Sequence, residues 1–334
     1  MKIAVTGGAG FIGSNFVRFV CKKYPETRVI NIDKMTYAAN PITLEFLNEY
    51  PNHIFLKLDI CNAEEIEKIL NECEIIVHFA AETHVDRSLE NPENFLLTDI
   101  LGTYRILEVI RNSKSIRKYI HVSTDEVYGS IASGSFVEHS PLNPTNPYAA
   151  SKASADLMVL SYIRCYKIPA IIVRFTNNFG PFQHPEKFIP LVITNALENK
   201  KIPLYGDGQQ IRDWLYVFDT CRAVDLLIEK GEPGQIYNVS AHQERKNIDV
   251  LSEILKILGK DKDLMVNIPD RIAHDRRYSL SSEKIQQLGF LPVYDFEKGL
   301  EETIKWYLDN KKWWQFIKNS SEFQSYYKKR YPAL

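Results

Sequence analysis

Cysteine is scarce in this 334-residue chain. The five, Cys21, Cys61, Cys73, Cys165 and Cys221, are odd in number, widely spaced and never in a C-x-x-C. Neither a disulfide framework nor a zinc site is therefore indicated, and reduced structural thiols are the expectation. Long hydrophobic runs are missing too: no stretch approaches the roughly 20 apolar residues that span a bilayer, which argues against a membrane partner. The start, MKIAVTGGAG, puts a strand-like segment and a glycine turn where the apolar stretch of a signal peptide would lie, so a cytoplasmic location is expected. Nor is there a surplus of one charge. With 41 basic and 42 acidic residues the formal net charge is −1, which argues against a dedicated nucleic-acid surface but leaves room for a phosphate-sized basic site. No internal repeat or low-complexity linker is present. What remains, with 45% hydrophobic content, is a chain able to build a large core as one big or two modest domains.

Apolar, β-branched runs alternate with helical patterns through the first half. KIAVTG at 2–7, RVINID at 28–33, IFLKLD at 54–59, IIVHFA at 75–80, YIHVST at 119–124 and AIIVRF at 170–175 read as buried parallel strands. This βαβα rhythm predicts an α/β fold with a doubly wound sheet. The alternation stops in TNNFGPFQHPEKFIP at 176–190, where a substrate domain is expected to begin, so residues 1–176 form the first domain and 177–334 mainly the second. LYVFD at 215–219 and IYNVS at 236–240 again look like core segments, and about 212–242 are expected to return to the first domain. The last 24 residues, from Lys311, carry six Lys or Arg against one Glu, together with several aromatics. A solvated tail or a packed amphipathic helix explains that stretch better than a membrane or nucleic-acid patch.

TGGAGFIG at 6–13 follows the first strand and opens a helical pattern, fitting both G-x-x-G-x-x-G (Gly7, Gly10, Gly13) and G-x-G-x-x-G from Gly8. Glycines there permit a tight turn and let backbone N–H groups at a helix N-terminus approach a pyrophosphate. Asp33 closes the second strand twenty residues after Gly13, where a carboxylate binds a ribose 2′-hydroxyl and repels a 2′-phosphate. NAD is thereby favoured over NADP, with Lys34 partly offsetting the repulsion. Asp59, after the third strand, reads equally as an adenine contact or as a helix N-cap.

PYAASKASADLMVLSY begins a helix with proline near its first turn. Tyr148 and Lys152, four residues apart, lie on one face, where an ammonium beside a phenol favours phenolate. A Y-x-x-x-K pair alone is common on helix surfaces; after a dinucleotide fingerprint and a strand ending VST it gains weight. VSTDEVYG at 122–129 adds Thr124 and two adjacent carboxylates, Asp125 and Glu126, which an ordinary turn does not need.

Together these motifs resemble the extended short-chain dehydrogenase/reductase family, and Thr124-Asp125-Glu126 followed by VYG is similar to its dTDP-glucose 4,6-dehydratase group. NIDKMTYAAN at 31–40, HFAAETHVDRS at 78–88, NNFGPFQHPEKFIP at 177–190, PLYGDGQQIRDWLYV at 203–217 and DRIAHDRRY at 270–278 extend the likeness over nearly the whole chain. The resemblance implies a Rossmann domain with a smaller α/β nucleotide-sugar domain, and a homodimer formed through a helix bundle from 92–112 and 147–167. It also implies a reaction on dTDP-glucose: oxidation at carbon 4, loss of water across carbons 5 and 6, and return of the hydride to carbon 6. In that scheme Tyr148 is the base for the carbon 4 hydroxyl and Lys152 lowers its pKa. Thr124 hydrogen-bonds the carbon 4 oxygen, Glu126 takes the carbon 5 proton, and Asp125 is the acid for the carbon 6 hydroxyl.

Cofactor contacts implied for NAD are Gly7, Gly10, Phe11, Ile12 and Gly13 in the turn, then Asp33, Lys34, Met35 and Thr36. Asp59, Ile60, Phe79, Ala80 and Ala81 follow, with Thr98, Tyr148, Lys152 and Asn178 at the nicotinamide end. For the sugar nucleotide the resemblance implies Thr83, Thr124, Asn177, Lys187 and Phe188, then Pro203, Tyr205 and Arg212, and finally Asn247, Arg271, His274 and Tyr331. Arg212 and Arg271 suit a diphosphate, since guanidinium offers several donors and stays charged. Three positions depart from the family pattern: Ala39 and Ala273 replace glycines, and Asp99 replaces an asparagine. UDP-glucose is the alternative substrate, because uracil and thymine differ by one methyl group worth about 1 kcal/mol in a pocket. UDP-sugar epimerisation or decarboxylation, or an inactive scaffold, are further alternatives that the acidic pair disfavours.

Overall fold

The computed structural model describes residues 1–272 and 274–332. Seven strands form one parallel sheet: β1 (Lys2–Thr6), β2 (Arg28–Asp33), β3 (His53–Lys57), β4 (Ile75–His78), β5 (Lys118–Thr124), β6 (Ala170–Phe175) and one later arrival. Three further strands, β7 (Asn177–Phe179), β8 (Ile202–Tyr205) and β9 (Ile211–Tyr216), precede that arrival, β10 (Ile236–Val239), while β11 (Glu244–Lys246) and β12 (Met265–Ile268) follow it. The order in the large sheet is β10-β6-β5-β4-β1-β2-β3. This is the doubly wound α/β class that the alternating pattern predicts.

The central strands are buried on both faces, which is why they read as continuous apolar runs. Ile3, Val5, Val29, Val77, Val122 and Val173 face one layer, which the helices Phe11–Lys23 and Val217–Lys230 cover. Ala4, Ile30, Ile32, Ile76, Tyr119 and Ile172 face the other, under the helices Ala63–Leu70, Thr103–Asn112 and Pro147–Tyr166. LYVFD divides between two elements. Leu215 and Tyr216 end β9, and the remainder opens the Val217–Lys230 helix, with Leu215, Val224 and Leu227 in the large-sheet core. β10 then pairs beside β6.

A second core gathers Phe179, Phe182, Trp214, Tyr307, Trp313, Trp314 and Phe323 around β7, β8, β9 and the last helices. The Lys-rich end of the chain belongs here. Helix Lys311–Lys318 is amphipathic and buries Trp313, Trp314 and Ile317, and even Lys318 turns inward to Asn195 Oδ1 at 2.8 Å and Glu198 Oε2 at 2.6 Å. No helix among the described residues is long and apolar enough to cross a membrane. All five cysteines are free thiols.

One polar contact sets where the Pro147–Tyr166 helix sits. Pro147 occupies its first turn, and Asn146 caps it by accepting from the Ala149 N–H at 2.9 Å. Two turns further on, Asp156 is fully buried and takes Arg174 Nε of β6 at 2.8 Å, with His121 Nε2 of β5 at 3.4 Å. Burial alone would raise the Asp156 pKa, but Arg174 and His121 outweigh it and hold the carboxyl below its usual range. Asp156→Ala would leave the Arg174 guanidinium buried without its counter-charge. We expect a loss of about 3–5 kcal/mol in stability, read as a lower urea midpoint. An unchanged midpoint would show that apolar packing alone fixes the helix.

Candidate active site

The carboxyl ends of β1, β2, β4, β5 and β6 open on one cavity of about 280 Å³, at the place where doubly wound sheets bind ligands. Its floor is the glycine turn. Gly7 has φ +73°, and a Cβ there would lie 2.5 Å from Ala80 N; a Cβ on Gly13 would lie 2.2 Å from Gly7 O. Both positions exclude any larger residue. The helix that follows starts at Phe11 without a side-chain cap and without an acidic residue in its first turn, so its leading N–H groups remain available to an anion. Asp33 lines the cavity and clasps the turn, accepting from Ala9 N at 3.0 Å and Met35 N at 2.8 Å. Burial raises its pKa, and these backbone donors work against the rise. The donor set fits a dinucleotide: uncapped amides for a pyrophosphate, a carboxylate for a ribose, and the apolar Phe11, Ile12, Ile60 and Phe79 along the walls.

Of the residues expected around the cofactor, Gly7, Gly10, Phe11, Ile12, Gly13, Asp33, Lys34, Thr36, Ile60, Phe79, Ala80, Ala81, Thr98, Tyr148, Lys152 and Asn178 line this cavity. Met35 and Asp59 do not. Asp59 is not a helix cap either: it accepts from Cys61 N at 2.9 Å, and Asn62 caps the Ala63–Leu70 helix. Lys34 turns away from Asp33 to donate to Thr98 Oγ1 at 3.1 Å. Ala39 lines the cavity and is not among the residues with positive φ, so its replacement of glycine carries no backbone strain. Ala273 lies outside the described residues.

Thr124, Asp125, Glu126, Tyr148 and Lys152 share the opposite wall. Thr124 ends β5 and caps a short helical turn, Asp125–Tyr128; its Oγ1 accepts from Glu126 N at 3.3 Å and donates to Asp125 Oδ1 at 3.1 Å. Asp125 Oδ2 is buried without a partner among the described residues. Burial, then the neighbouring Glu126 charge, push the Asp125 pKa well above the carboxylate range. Burial also raises Glu126, while Arg212 and Lys187 pull it back. Asn146 Nδ2 reaches Glu126 Oε2 at 3.5 Å. The Tyr148 phenol differs from expectation. Its pKa is pushed well up by burial and by the Glu126 and Asp99 charges, and the Lys152 ammonium donates to Val122 O at 2.7 Å.

Several contributors were not singled out in the sequence. Glu82 and Glu186 line the cavity one residue from the chosen Thr83 and Lys187. Burial raises Glu82 to about 7. Glu186 is held down at about 2, burial being outweighed by His84, His184 and Arg87. A charged residue inside a motif already quoted was the available signal. Ser151 and Asn146 gave none, since a capping or bridging role depends on the final helix position.

The sugar-nucleotide residues divide. Thr83, Thr124, Asn177 and Lys187 line the cavity, with Lys187 Nζ donating to Thr83 O at 2.6 Å. Phe188, Pro203, Tyr205, Arg212, Asn247, Arg271, His274 and Tyr331 do not line it. Tyr205, Arg271, His274 and Tyr331 form a cluster of their own, with Arg271 4.3 Å over the Tyr205 ring. Arg212 is tied to Asp275 O at 2.9 Å. Asn247 begins the Asn247–Ile257 helix, Pro203 lies in β8, and Phe188 stacks on Trp214.

The fold and this cavity define a dinucleotide-binding α/β protein with an acidic pair beside a Tyr-Lys pair. The model of the family described as GDP-mannose 4,6 dehydratase matches residues 4–303. The dTDP-glucose 4,6-dehydratase of Salmonella typhimurium is 43% identical, covering 99% of each chain. A crystal structure of the dTDP-glucose 4,6-dehydratase DesIV from Streptomyces venezuelae, with NAD bound, superposes with a TM-score of 0.92 at 43% identity, covering 95% of this chain and 100% of that one. The UDP-glucuronic acid 4-epimerase of Bacillus cereus superposes at 0.87 with 28% identity, covering 92% and 99%. The chain belongs to this family of nucleotide-sugar 4,6-dehydratases.

Asp99 gives a test of site electrostatics. It is fully buried, accepts from Glu82 N at 2.9 Å and Ser151 Oγ at 2.6 Å, and burial raises its pKa to about 6 despite Lys152. A carboxyl whose folded pKa exceeds its unfolded value near 3.9 favours folding below that value and loses this contribution as pH rises through about 6. Asp99→Asn keeps an acceptor for Glu82 N. Thermal melts should therefore show the variant equal to the parent near pH 4 and more stable at pH 8, by on the order of 2 kcal/mol. A variant less stable at pH 8 would mean that Lys152 compensates the buried charge in full.

Proposed function

We propose that this protein dehydrates dTDP-glucose to dTDP-4-keto-6-deoxyglucose using tightly held NAD. The observation that carries the reading is the adjacent pair of buried Asp125 and half-buried Glu126, which lines the same cavity as Tyr148 and Lys152. An epimerase of this fold has no water to eliminate and needs no such pair, and the fold alone does not discriminate, since the Bacillus cereus epimerase shares it.

The proton beside carbon 5 is not acidic in the sugar itself and becomes so once carbon 4 is a ketone. Tyr148, in the phenolate form that its surroundings make the minor one, takes the carbon 4 hydroxyl proton as hydride leaves that carbon, and Thr124 donates a hydrogen bond to the developing oxygen. NAD, when bound by the glycine turn and Asp33, would supply the acceptor for that hydride and its donor to carbon 6. Glu126 removes the carbon 5 proton, and Asp125, kept protonated by burial beside Glu126, gives its proton to the departing carbon 6 hydroxyl, so one water leaves. When hydride reaches carbon 6, Glu126 returns its proton to carbon 5. The two carboxyls act as one coupled acid-base pair.

A homodimer accompanies this reading. The stretch from Pro92 to Asn112 packs against the Pro147–Tyr166 helix and leaves Leu96, Leu97 and Leu157 exposed, Leu157 by 58%. Free thiols throughout accord with a cytoplasmic setting.

Three experiments test these statements. Incubation with dTDP-glucose and, separately, UDP-glucose, without added NAD, should give loss of one water and a new 6-methyl proton signal, faster with the thymidine nucleotide. Tyr148→Phe should lower kcat by about 10²-fold or more with NAD retained; unchanged turnover would remove Tyr148 from the chemistry. In light scattering, Leu157→Glu should halve the parent's mass at micromolar concentration, whereas a monomeric parent would rule the helix bundle out.

A further inference from the structure

The last described helix, Ser321–Arg330, lies across the short helix Val85–Glu90, which begins two residues after Thr83 in the cavity wall. Three ion pairs join them. Arg87 reaches Glu322 at 3.5 Å, Lys329 reaches Glu90 at 3.0 Å, and Arg330 reaches Asp86 Oδ1 at 3.0 Å. The first two use exposed carboxylates, where such pairs contribute little. The third differs because Asp86 is buried, with 2% of its surface exposed.

Asp86 is shared. Its other oxygen, Oδ2, accepts from Arg271 at 3.0 Å and from the Tyr205 hydroxyl at 3.2 Å. Both guanidinium groups stack on the Tyr205 ring, Arg271 at 4.3 Å and Arg330 at 5.1 Å, and Arg330 Nε donates to the Tyr205 hydroxyl at 2.6 Å. One buried carboxylate thus faces two guanidinium groups. The other carboxylate nearby, Asp270, accepts from the Arg271 main-chain N–H at 2.8 Å and pairs with His274. Arg271 Nε is buried with no partner among the described residues, so Arg271 is the member with a donor left over.

We propose that Arg330 is a positioning residue for the diphosphate of the nucleotide sugar: it neutralises Asp86 and so leaves the charge of Arg271 free for phosphate. The proposal rests on the nucleotide-sugar reading given above. Without Arg330, Asp86 and Arg271 form a closed neutral pair, and phosphate must compete with a desolvated carboxylate for the same guanidinium. Tyr205 then serves as the aromatic platform that both cations contact.

Isothermal titration of deoxythymidine diphosphate into the NAD-loaded protein separates the outcomes. Arg330→Gln should raise the dissociation constant about tenfold, and Arg330→Lys, which keeps the charge, should raise it less. Adding Asp86→Asn to Arg330→Gln should restore affinity to within about threefold of the parent, because Arg271 no longer has a carboxylate to satisfy. Loss of tail packing alone would not be relieved by a change at Asp86, so an unrescued double variant overturns the proposal, as does an Arg330→Gln variant that binds like the parent. Failure of the parent itself to bind deoxythymidine diphosphate would instead remove the nucleotide-sugar reading, and this proposal with it.

Discussion

The buried contact between Asp156 and Arg174 is the constraint on which the site geometry rests. Tyr148 and Lys152 sit at one end of the Pro147–Tyr166 helix, Asp156 one turn beyond Lys152, and Arg174 on β6 next to the strand that ends in Thr124. Apolar packing permits a helix to slide or roll by small amounts at little cost, whereas a charge-assisted hydrogen bond in the core has one acceptable geometry. Tyr128 completes the arrangement. Its hydroxyl accepts from Arg174 and donates to Asn238 of β10, so the turn that carries Asp125 and Glu126 is tied to the same guanidinium. The helix, the Asp125–Tyr128 turn and the edge strand are thus referred to a single residue, and the relative placement of Asp125, Glu126 and Tyr148 follows from it.

Within the cavity the dominant effect is removal of water. Burial is the largest influence on Asp125, Glu126, Tyr148 and Lys152 alike, and each is pushed toward its neutral form. Pairwise charges then differentiate them: Glu126 drives Asp125 further up, while Arg212 and Lys187 restrain Glu126. Two chemically similar carboxyls are thereby set apart by their surroundings. Lys152 donates to Val122 O, so this lysine is bonded to a strand carbonyl of the sheet itself.

How far all this could be read from sequence varied with physical cause. The six strand assignments agree with β1 to β6 within two residues at either end, because strands buried on both faces must be apolar throughout. Residues following those strands fall into the cavity for the same reason: a parallel sheet puts every carboxyl end on one side. The short strands β7, β8, β11 and β12 left no pattern, since three or four residues cannot display a period. Tyr205, Arg271, His274 and Tyr331 came from resemblance alone and gather outside the main cavity, through contacts between residues far apart in the chain. The partnership of Asp86 with Arg330, 244 residues apart, has no local signature. Lys152 was assigned the role of lowering the Tyr148 pKa, but a hydrogen bond to a main-chain oxygen is not encoded in the i, i+4 spacing that brought the pair to notice.

The segment Leu96–Gly102 is a π-helix running directly into the α-helix Thr103–Asn112. A π turn holds one more residue than an α turn, so it behaves as a one-residue insertion absorbed within an otherwise continuous helix. Thr98 and Asp99 owe their inward orientation to that widened turn, and at its end Gly102 lies so close to Ile60 that a Cβ would come within 2.4 Å of the isoleucine side chain. Length here is therefore under tighter control than composition. Removing a single residue from 96–102 would restore α geometry and rotate everything before it by about 100° relative to everything after it. Thr98 and Asp99 would swing out of the wall, a change that no substitution at either position can imitate.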